Sequence, residues 1–423
     1  MNIEKKMNIA IIGSGVSGLV SSLILSRKHN VTILEKNSYL GGHVHTHKLN
    51  DVNGIFNVDS GFIVYNENTY PNFIRLMKLL DVETQNTSMG FSYTDDNDFE
   101  YSGNSISSLF AKKSNLVNFS FYRFIYNILK FNKIALRDMN NLDVEIKLID
   151  YLKNNRISNS LIEKYIIPMG SAIWSTDPDS MKNMPAKFFI QFFKNHGLLD
   201  VLNRPQWKVI KNGSFQYVKK IYKQLKKNDA KIFLDHCVKH VTRDKNSVKI
   251  KIKGKDEKHF DKVVFACHSN QALKLLKDAS PNEKNILGDI QYQDNIATIH
   301  TDINILPKRK KAWSSWNYLA TNKSNKVILT YNMNILQSLK SNDVFCVTIN
   351  DPGLINNNKV IKTINYSHPL FSKSSIKAQS KKSLINGKNN TFFSGAYWGY
   401  GFHEDGVNSA LDVCNHFNMS LDE

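Results

Sequence analysis

The stretch Ile9-Ala10-Ile11-Ile12-Gly13-Ser14-Gly15-Val16-Ser17-Gly18, followed at Val31–Glu35 by a second apolar run ending in an acid, constrains the fold more than any other part of the chain. It reads as strand, glycine-rich turn, helix and strand, the opening of an α/β domain with a parallel sheet of Rossmann type. Each glycine has a separate task. Gly13 makes the tight turn off the strand, Gly15 lets the backbone approach a pyrophosphate, and Gly18 lets the helix lie close to the sheet. Ser17 stands in the same turn-to-helix step. Unpaired N–H groups and the positive end of the helix dipole favour an anion there. Glu35 falls where a carboxylate can accept hydrogen bonds from a ribose diol. A lone GxGxxG is weak evidence. One that follows a β-branched strand, opens an apolar helix and is answered by an acid marks a dinucleotide site.

With 423 residues the chain exceeds one ordinary core, so two domains are expected. Its 41% hydrophobic and 11% aromatic content suits a folded protein. Cys237, Cys267, Cys346 and Cys414 form no CxxC pair, which argues against a disulfide scaffold, a zinc module or a redox dithiol and fits a reducing cytoplasm. Lys5-Lys6 followed by the apolar stretch from Met7 to Leu25 mimics a signal peptide, but the glycine spacing explains the same residues better. No other stretch is long and apolar enough to span a bilayer, so triplets such as Asn212-Gly213-Ser214 are expected to stay unglycosylated. The net charge of +19 raises affinity for polyanions, including an anionic membrane face, although a Lys-, Asn- and Ile-rich composition accounts for it as well. The basic residues are spread out with no compact nucleic-acid module, so nucleic acid is set aside as a partner.

Neither an internal repeat nor a low-complexity linker is visible. Residues 7–85 read as the nucleotide-binding half, and residues from about 100 to 204 as mostly helical. Strands return at Lys231–Leu234, Val238–Thr242, Ser247–Lys253 and Lys262–Cys267, with a helix at Asn270–Leu276. Residues 295–385 alternate short strands and loops, and the tail from Thr391 is strand, glycine-rich turn and helix. The expected layout is a discontinuous nucleotide domain (1–85, 205–285 and 386–423) interleaved with an α+β substrate domain (86–204 and 286–385).

Beyond Glu35 comes Leu40-Gly41-Gly42-His43, where adjacent glycines suggest a second close backbone approach to the cofactor. The tail supplies Gly395-Ala396, then Gly399, Gly401 and Asp405-Gly406, then Val407–His416. A helix starting near Gly406 would aim N–H dipoles at an electron-rich group such as the pyrimidine edge of a reduced flavin.

These residues carry a resemblance. Glu35 to Gly42 resembles the acid-x5-Gly-Gly pattern of the flavin-containing amine oxidase and phytoene-desaturase-like superfamily. Longer stretches resemble one bacterial subfamily, usually described only as predicted FAD/NAD-binding oxidoreductases. They are Gly41–Thr46, Asp59–Asn66, Tyr70–Phe73 and Gly395–Gly406, with Ala312–Tyr318 and Ser367-His368-Pro369 beside them. The resemblance runs over essentially the whole chain and implies FAD as cofactor and an amine-oxidase-like two-domain fold. It implies that Gly13, Gly15, Ser17 and Gly18 form the pyrophosphate turn, that Glu35 holds the adenosine ribose, and that Gly41 and Gly42 make the second pyrophosphate contact. It further places the Val238 backbone at the adenine, and Gly395, Ala396, Gly406 and Val407 in the terminal flavin motif. There are two departures. His43 stands where many relatives carry Arg, and Ala396 where many carry an acid that holds the ribityl hydroxyls.

Flavin chemistry asks mainly for orientation and electrostatics, since N5 itself takes the hydride. Tyr397, Trp398, Tyr400 and His403 lie beside the expected ring and would form a wall for substrate, or plain packing. His403 is the acid/base candidate because an unperturbed imidazole titrates near neutrality. His43, His45 and His47 would share one face of a strand, yet a phosphate-side role for His43 is simpler and no metal is expected. Trp313 and Trp316 with Lys308–Lys311 read as a strand edge beside a solvated charge run. Phe119–Phe131 is the most lipid-like segment, read either as a membrane-interface helix or as core of the inserted domain.

The reading is an FAD-dependent oxidoreductase that dehydrogenates a hydrophobic substrate such as a lipid acyl chain, placed in the cytoplasm and peripheral at the inner membrane face. The rivals are a soluble amine or amino-acid oxidase and a flavin-binding accessory protein of a lipid-modifying enzyme.

Overall fold

The structure is a computed structural model that describes residues 6–200 and 204–422. Lys5 of the signal-like start, the outermost residues of the expected nucleotide domain and residues 201–203 of the expected substrate domain lie outside the described residues.

The chain opens with strand β1 (Asn8–Ile12), helix α1 (Val16–Leu25) and strand β2 (Asn30–Leu34). Three later strands join them: β3 (Lys231–Phe233), β4 (Lys262–Phe265) and β5 (Thr391–Phe393). Together they form a five-stranded, all-parallel sheet in the order β3-β2-β1-β4-β5. Both faces are covered, which explains why Ile9-Ala10-Ile11-Ile12 shows no polar alternation. Ile9 and Ile11 face α1, α2 (Phe215–Lys227) and α3 (His403–Asn415), packing with Leu19, Leu23, Val218, Ile221 and Val407. Ala10 and Ile12 face a three-stranded antiparallel sheet (Val238–Arg243, Val248–Ile252, Glu257–Phe260) through Val241, Ile250 and Phe260. The strand Glu257–Phe260 is additional to the sequence reading; its single inward apolar residue, Phe260, gives no alternation to detect.

In this order the chain leaves β1 toward β2 and β3 on one side and returns to β4 and β5 on the other. The carboxyl end of β1 is therefore the topological switch point, where open α/β sheets bind ligands.

The second large sheet has seven strands in the order Val360–Pro369, Tyr292–His300, Cys346–Ile349, Leu329–Asn332, Trp316–Ala320, Phe91–Asp95 and Glu100–Ser102. All pairs are antiparallel except Trp316–Ala320 with Phe91–Asp95. Over 295–385 the expected short strands are present at Trp316–Ala320, Leu329–Asn332 and Cys346–Ile349, beside two longer ones of nine and ten residues. Helices between residues 119 and 195 pack beside this sheet in one core with Phe121, Phe131, Trp174, Phe189 and Phe193. Residues 46–59 make an antiparallel hairpin, and Val64–Asn66 and Thr84–Thr87 flank Trp207–Ile210. After Val44 the strands of the stretch 7–85 stay out of the parallel sheet: residues 46–59 pair with each other, and 64–66 and 84–87 pair with the distant 207–210.

The segment Phe119–Phe131 belongs to one helix, Phe119–Asp138, with one side in the core and the other exposed. Phe121, Phe124, Phe131 and Ala135 are core, while Phe119, Tyr122, Tyr126 and Leu129 are exposed. Trp313 donates Nε1–H to the Pro307 carbonyl, and Lys310 lies over its ring. Arg309 pairs with Asp98 and Glu100, so that charge run is anchored rather than only solvated.

Candidate active site

The site begins where β1 ends. Gly13 has φ +103°, and a Cβ there would lie 2.6 Å from the Ala266 carbonyl oxygen just past β4. A Cβ on Gly18 would run into the Gly13 carbonyl. Both glycines therefore answer to packing inside the protein. Gly15 does not: its φ is −66°, and a Cβ would meet no protein atom within 4 Å. The open space lies at the N-terminus of α1, whose first turn has neither a side-chain cap nor an acidic residue. Free N–H groups facing room suit a pyrophosphate. Ser17 is buried in that first turn.

Glu35 is buried directly after β2. Its Oε2 accepts hydrogen bonds from Ser14 N (2.9 Å) and Ser14 Oγ (2.7 Å), and its Oε1 accepts one from Asn37 N (2.9 Å). A carboxylate offers about four lone-pair sites, so capacity for a ribose hydroxyl remains on Oε1. The segment before Val238 runs alongside, with His236 N donating to the Glu35 carbonyl and Asp235 N to the Asn37 carbonyl. Val238 itself is buried at the start of its strand.

Gly41 and Gly42 have φ +115° and +60°, and a Cβ on Gly42 would sit 3.1 Å from the Gly15 Cα. The second glycine pair thus folds against the first turn. The next residues pair with the Asp59–Phe62 motif: Phe62 N donates to the His43 carbonyl, and a Cβ on Gly61 would strike that same carbonyl. Asp59 is a buried hub. It accepts from Thr46 Oγ1, from Ser214 N and Oγ at the start of α2, and from Gln337 Nε2. Burial raises its carboxyl to about 6 against those hydrogen bonds.

His43 turns away from His45 and His47. Its ring lies 6.0 Å from His268, 5.3 Å from His368 and 4.9 Å from Tyr366, whereas His45 and His47 face each other at 4.1 Å. Among the described residues no set of three His, Cys, Asp or Glu side chains has metal-holding geometry. Burial lowers His43 to about 4 and His268 and His368 to about 3, with the neighbouring imidazoles adding to the last two. The three rings are neutral at neutral pH. Asn295 Oδ1 accepts from Asn350 Nδ2 (2.7 Å), so its amide nitrogen faces His368 Nδ1 at 2.9 Å. This makes His368 Nδ1 the acceptor and leaves the proton on Nε2. Sequence reasoning assigned no role to His268 or His368. The signals were present, since His268 follows the carboxyl end of β4 and His368 lies in the Ser367-His368-Pro369 motif.

The C-terminal motif departs from the sequence reading in three ways. First, α3 starts at His403, not near Gly406. Gly406 N is bonded to the Phe402 carbonyl, and its lack of a side chain serves helix packing, because a Cβ would lie 2.5 Å from Val16 Cγ1. Val407 is fully buried in the core shared with α1, so neither residue presents a free N–H to a cofactor. Second, Tyr397, Trp398, Tyr400 and His403 do not form one wall. Tyr397 and Trp398 pack toward the three-stranded sheet, and Trp398 Nε1 donates to the Phe393 carbonyl. Tyr400 joins Phe188 and Phe192 of the helical layer, while His403 stacks on Phe62 at 3.5 Å with Phe73 and Tyr217 edge-on. The end of a 3-10 turn at Gly399 and a turn with φ +92° at Gly401 split the run among three environments. Third, burial drives the His403 imidazole well below its ordinary range, so it is held neutral and does not titrate near pH 7 as an acid/base group would.

Both acids of the first turn of α3 are occupied. Asp405 Oδ2 accepts from Phe402 N (2.9 Å), and Glu404 accepts from Asn72 N (2.9 Å) and Phe73 N (2.8 Å). The second contact ties the Tyr70-Pro71-Asn72-Phe73 step to the terminal motif. Gly395 N donates to Ser409 Oγ, and Ala396 packs near Gly406.

These residues fit FAD. The room beside Gly15 meets an uncapped helix, Glu35 keeps acceptor capacity, and buried polar atoms with no partner among the described residues recur along the same tract. They are His43 Nε2, His268 Nδ1, Ser394 Oγ, Tyr397 Oη and His403 Nε2. Such orphaned groups are costly unless a ligand satisfies them.

Comparison with known proteins agrees. No curated protein sequence matches the chain. Among solved structures, the CLA-producing fatty acid isomerase from P. acnes is similar at 14% identity, with a TM-score of 0.67 over 99% of each chain. Cyclohexylamine oxidase from Brevibacterium oxydans IH-35A is similar at 13% identity and a TM-score of 0.68, over 98% of this chain and 100% of that one. Putrescine oxidase gives 11% identity and a TM-score of 0.68, over 98% and 99%. At such identities these likenesses show the fold. The family model described as flavin containing amine oxidoreductase matches residues 16–343, and the chain therefore belongs to that family and is an FAD-dependent oxidoreductase.

Proposed function

We propose that this enzyme dehydrogenates a hydrophobic, uncharged substrate, a lipid acyl chain. One observation carries the reading: the group next to the C-terminal motif is aromatic and lacks a free charge. Phe188 packs on Tyr400 at 4.5 Å and on Phe371 at 5.0 Å; Phe192 packs on Trp174 at 4.6 Å and on Phe402 at 5.1 Å. Trp174 Nε1 donates to the Tyr400 carbonyl, fixing the helical layer against the motif. Glu404 and Asp405 are committed to backbone N–H groups, and the nearby imidazoles are neutral. An ammonium or carboxylate substrate would need an opposite charge that this arrangement withholds. An acyl chain needs apolar surface and the exclusion of water.

FAD bound at the switch point supplies a two-electron acceptor. The chain's residues would hold the pyrophosphate at Gly13–Gly18, hold the ribose at Glu35, and offer the His368 Nε2–H as a neutral donor. The structural likeness to a fatty acid isomerase supports an acyl substrate, since that protein is named for one. The test is anaerobic mixing of the yellow holoenzyme with phospholipid and, separately, with a panel of amines. Bleaching of the flavin by phospholipid, with loss of two hydrogens from an acyl chain by mass spectrometry, is expected. Bleaching by amines alone would overturn the proposal.

A further inference from the structure

We propose that the helix Phe119–Asp138 and the strap before it, residues 106–118, dock this enzyme on a bilayer surface containing anionic phospholipid. Successive helical residues turn by about 100°, so residues 121, 124, 128, 131 and 135 share one side and residues 119, 122, 126, 129, 133 and 136 the other. The first side is core. The second should be polar if it only met water. Instead Phe119 is 92% exposed, Tyr126 65%, Leu129 48% and Tyr122 46%. Val117 and Ile106 on the strap are exposed as well, at 82% and 79%. Tyr122 Oη donates to the Leu116 carbonyl at 3.0 Å, so strap and helix form one continuous surface. A contiguous apolar patch of this kind on a folded chain marks an interaction site.

Charge identifies the occupant. Residues 101–137 contain Lys112, Lys113, Arg123, Lys130, Lys133 and Arg137 and not one acid. Arg123, Lys130 and Lys133 are exposed on or beside the apolar side, and among the described residues no ion pair engages them. Lys112 and Arg137 are the two that are paired, with Asp98 and Asp138. Aromatic and aliphatic side chains that enter the headgroup boundary, flanked by cations that meet lipid phosphates, are the pattern of an interfacial helix. The helix is not a span: no described helix is long and apolar enough to cross a membrane. This inference deepens the acyl-chain reading, but it is tested without turnover, so its failure leaves that reading to its own experiment.

The experiment is co-sedimentation of the full-length holoenzyme with vesicles of phosphatidylcholine, with and without phosphatidylglycerol. Binding that requires phosphatidylglycerol is expected. The triple variant Phe119→Glu, Tyr126→Glu, Leu129→Glu and the double variant Arg123→Glu, Lys130→Glu should each lose at least tenfold in affinity while keeping bound flavin and thermal midpoint. The control Lys226→Glu, Lys227→Glu, which changes net charge on the exposed side of α2 as much as the double variant does and more than the triple variant, should bind as the unaltered chain does. Equal loss in the control would assign binding to net charge and overturn the proposal, as would unchanged binding by the triple variant. A dimer in solution that the triple variant dissociates would show that a second copy covers this surface, and would also overturn it.

Discussion

Replacing Asp405 by Asn tests the electrostatics of the C-terminal motif. Burial pushes the Asp405 carboxyl from 3.8 up to about 7, against the lowering by backbone N–H groups of Phe402, Tyr400 and Gly401 and with a further rise from the Glu404 charge. A carboxyl whose folded value lies above its unfolded value binds its proton more tightly in the native state. Its favourable contribution is complete below 3.8 and disappears as pH rises through about 7. The shift corresponds to about 4 kcal/mol, of which about 3 kcal/mol is lost between about pH 5 and pH 8. Asn presents the same acceptor to Phe402 N without a charge to desolvate. The variant should therefore gain on the unaltered protein as pH rises, by about 3 kcal/mol, or about 3 °C for a chain of this length. The assay is thermal unfolding of both proteins, freed of flavin, at the two pH values. A difference that is constant with pH, or that shrinks as pH rises, would refute a buried, proton-holding Asp405.

Gly15→Ala should leave the thermal midpoint of the flavin-free protein within about 1 °C, since its Cβ meets nothing, yet weaken FAD binding at least about tenfold by fluorescence titration. Gly13→Ala should instead destabilise the fold itself, because φ +103° and the Ala266 carbonyl both oppose a side chain. Glu35→Gln removes the charge from an acceptor of hydrogen bonds and should weaken FAD affinity about ten- to a hundredfold by calorimetry. Gly406→Val forces α3 off α1 and should lower stability to urea by about 2–3 kcal/mol; an unchanged midpoint would contradict the contact with Val16.

The parts of the protein that announce themselves in sequence are those whose physics is local. The Gly13–Gly18 turn has an invariant geometric demand, and the run Val31–Glu35 carries both its strand character and its acid within five residues. The pairing of Asp59–Phe62 with His43, and of Tyr70–Phe73 with Glu404, was visible only as separate motifs, because nothing in either stretch encodes its distant partner. The imidazole cluster was hidden for the same reason: His43, His268 and His368 come from three separated segments and meet only in the folded chain. The residues expected as one wall, Tyr397–His403, face apart because adjacency in sequence is not adjacency on a surface: the chain changes direction at Gly399 and again at Gly401. The helix starts at His403 rather than near Gly406 because Gly406 is a contact residue inside it, packed against Val16 of α1. The aromatic helix was legible as amphipathic in spirit only. Its two apolar sides blur the period that a single buried stripe would show.

Because β5 and α3 complete the layer around α1, the opening turn depends on residues made almost four hundred positions later; Arg27 donates to the Ser420 and Leu421 carbonyls across that span. A chain that has made only the opening glycine turn lacks the outer strand and helix that brace it. Assembly of the sheet around the opening turn therefore waits on a long-range closure, the kind of contact that folds slowly.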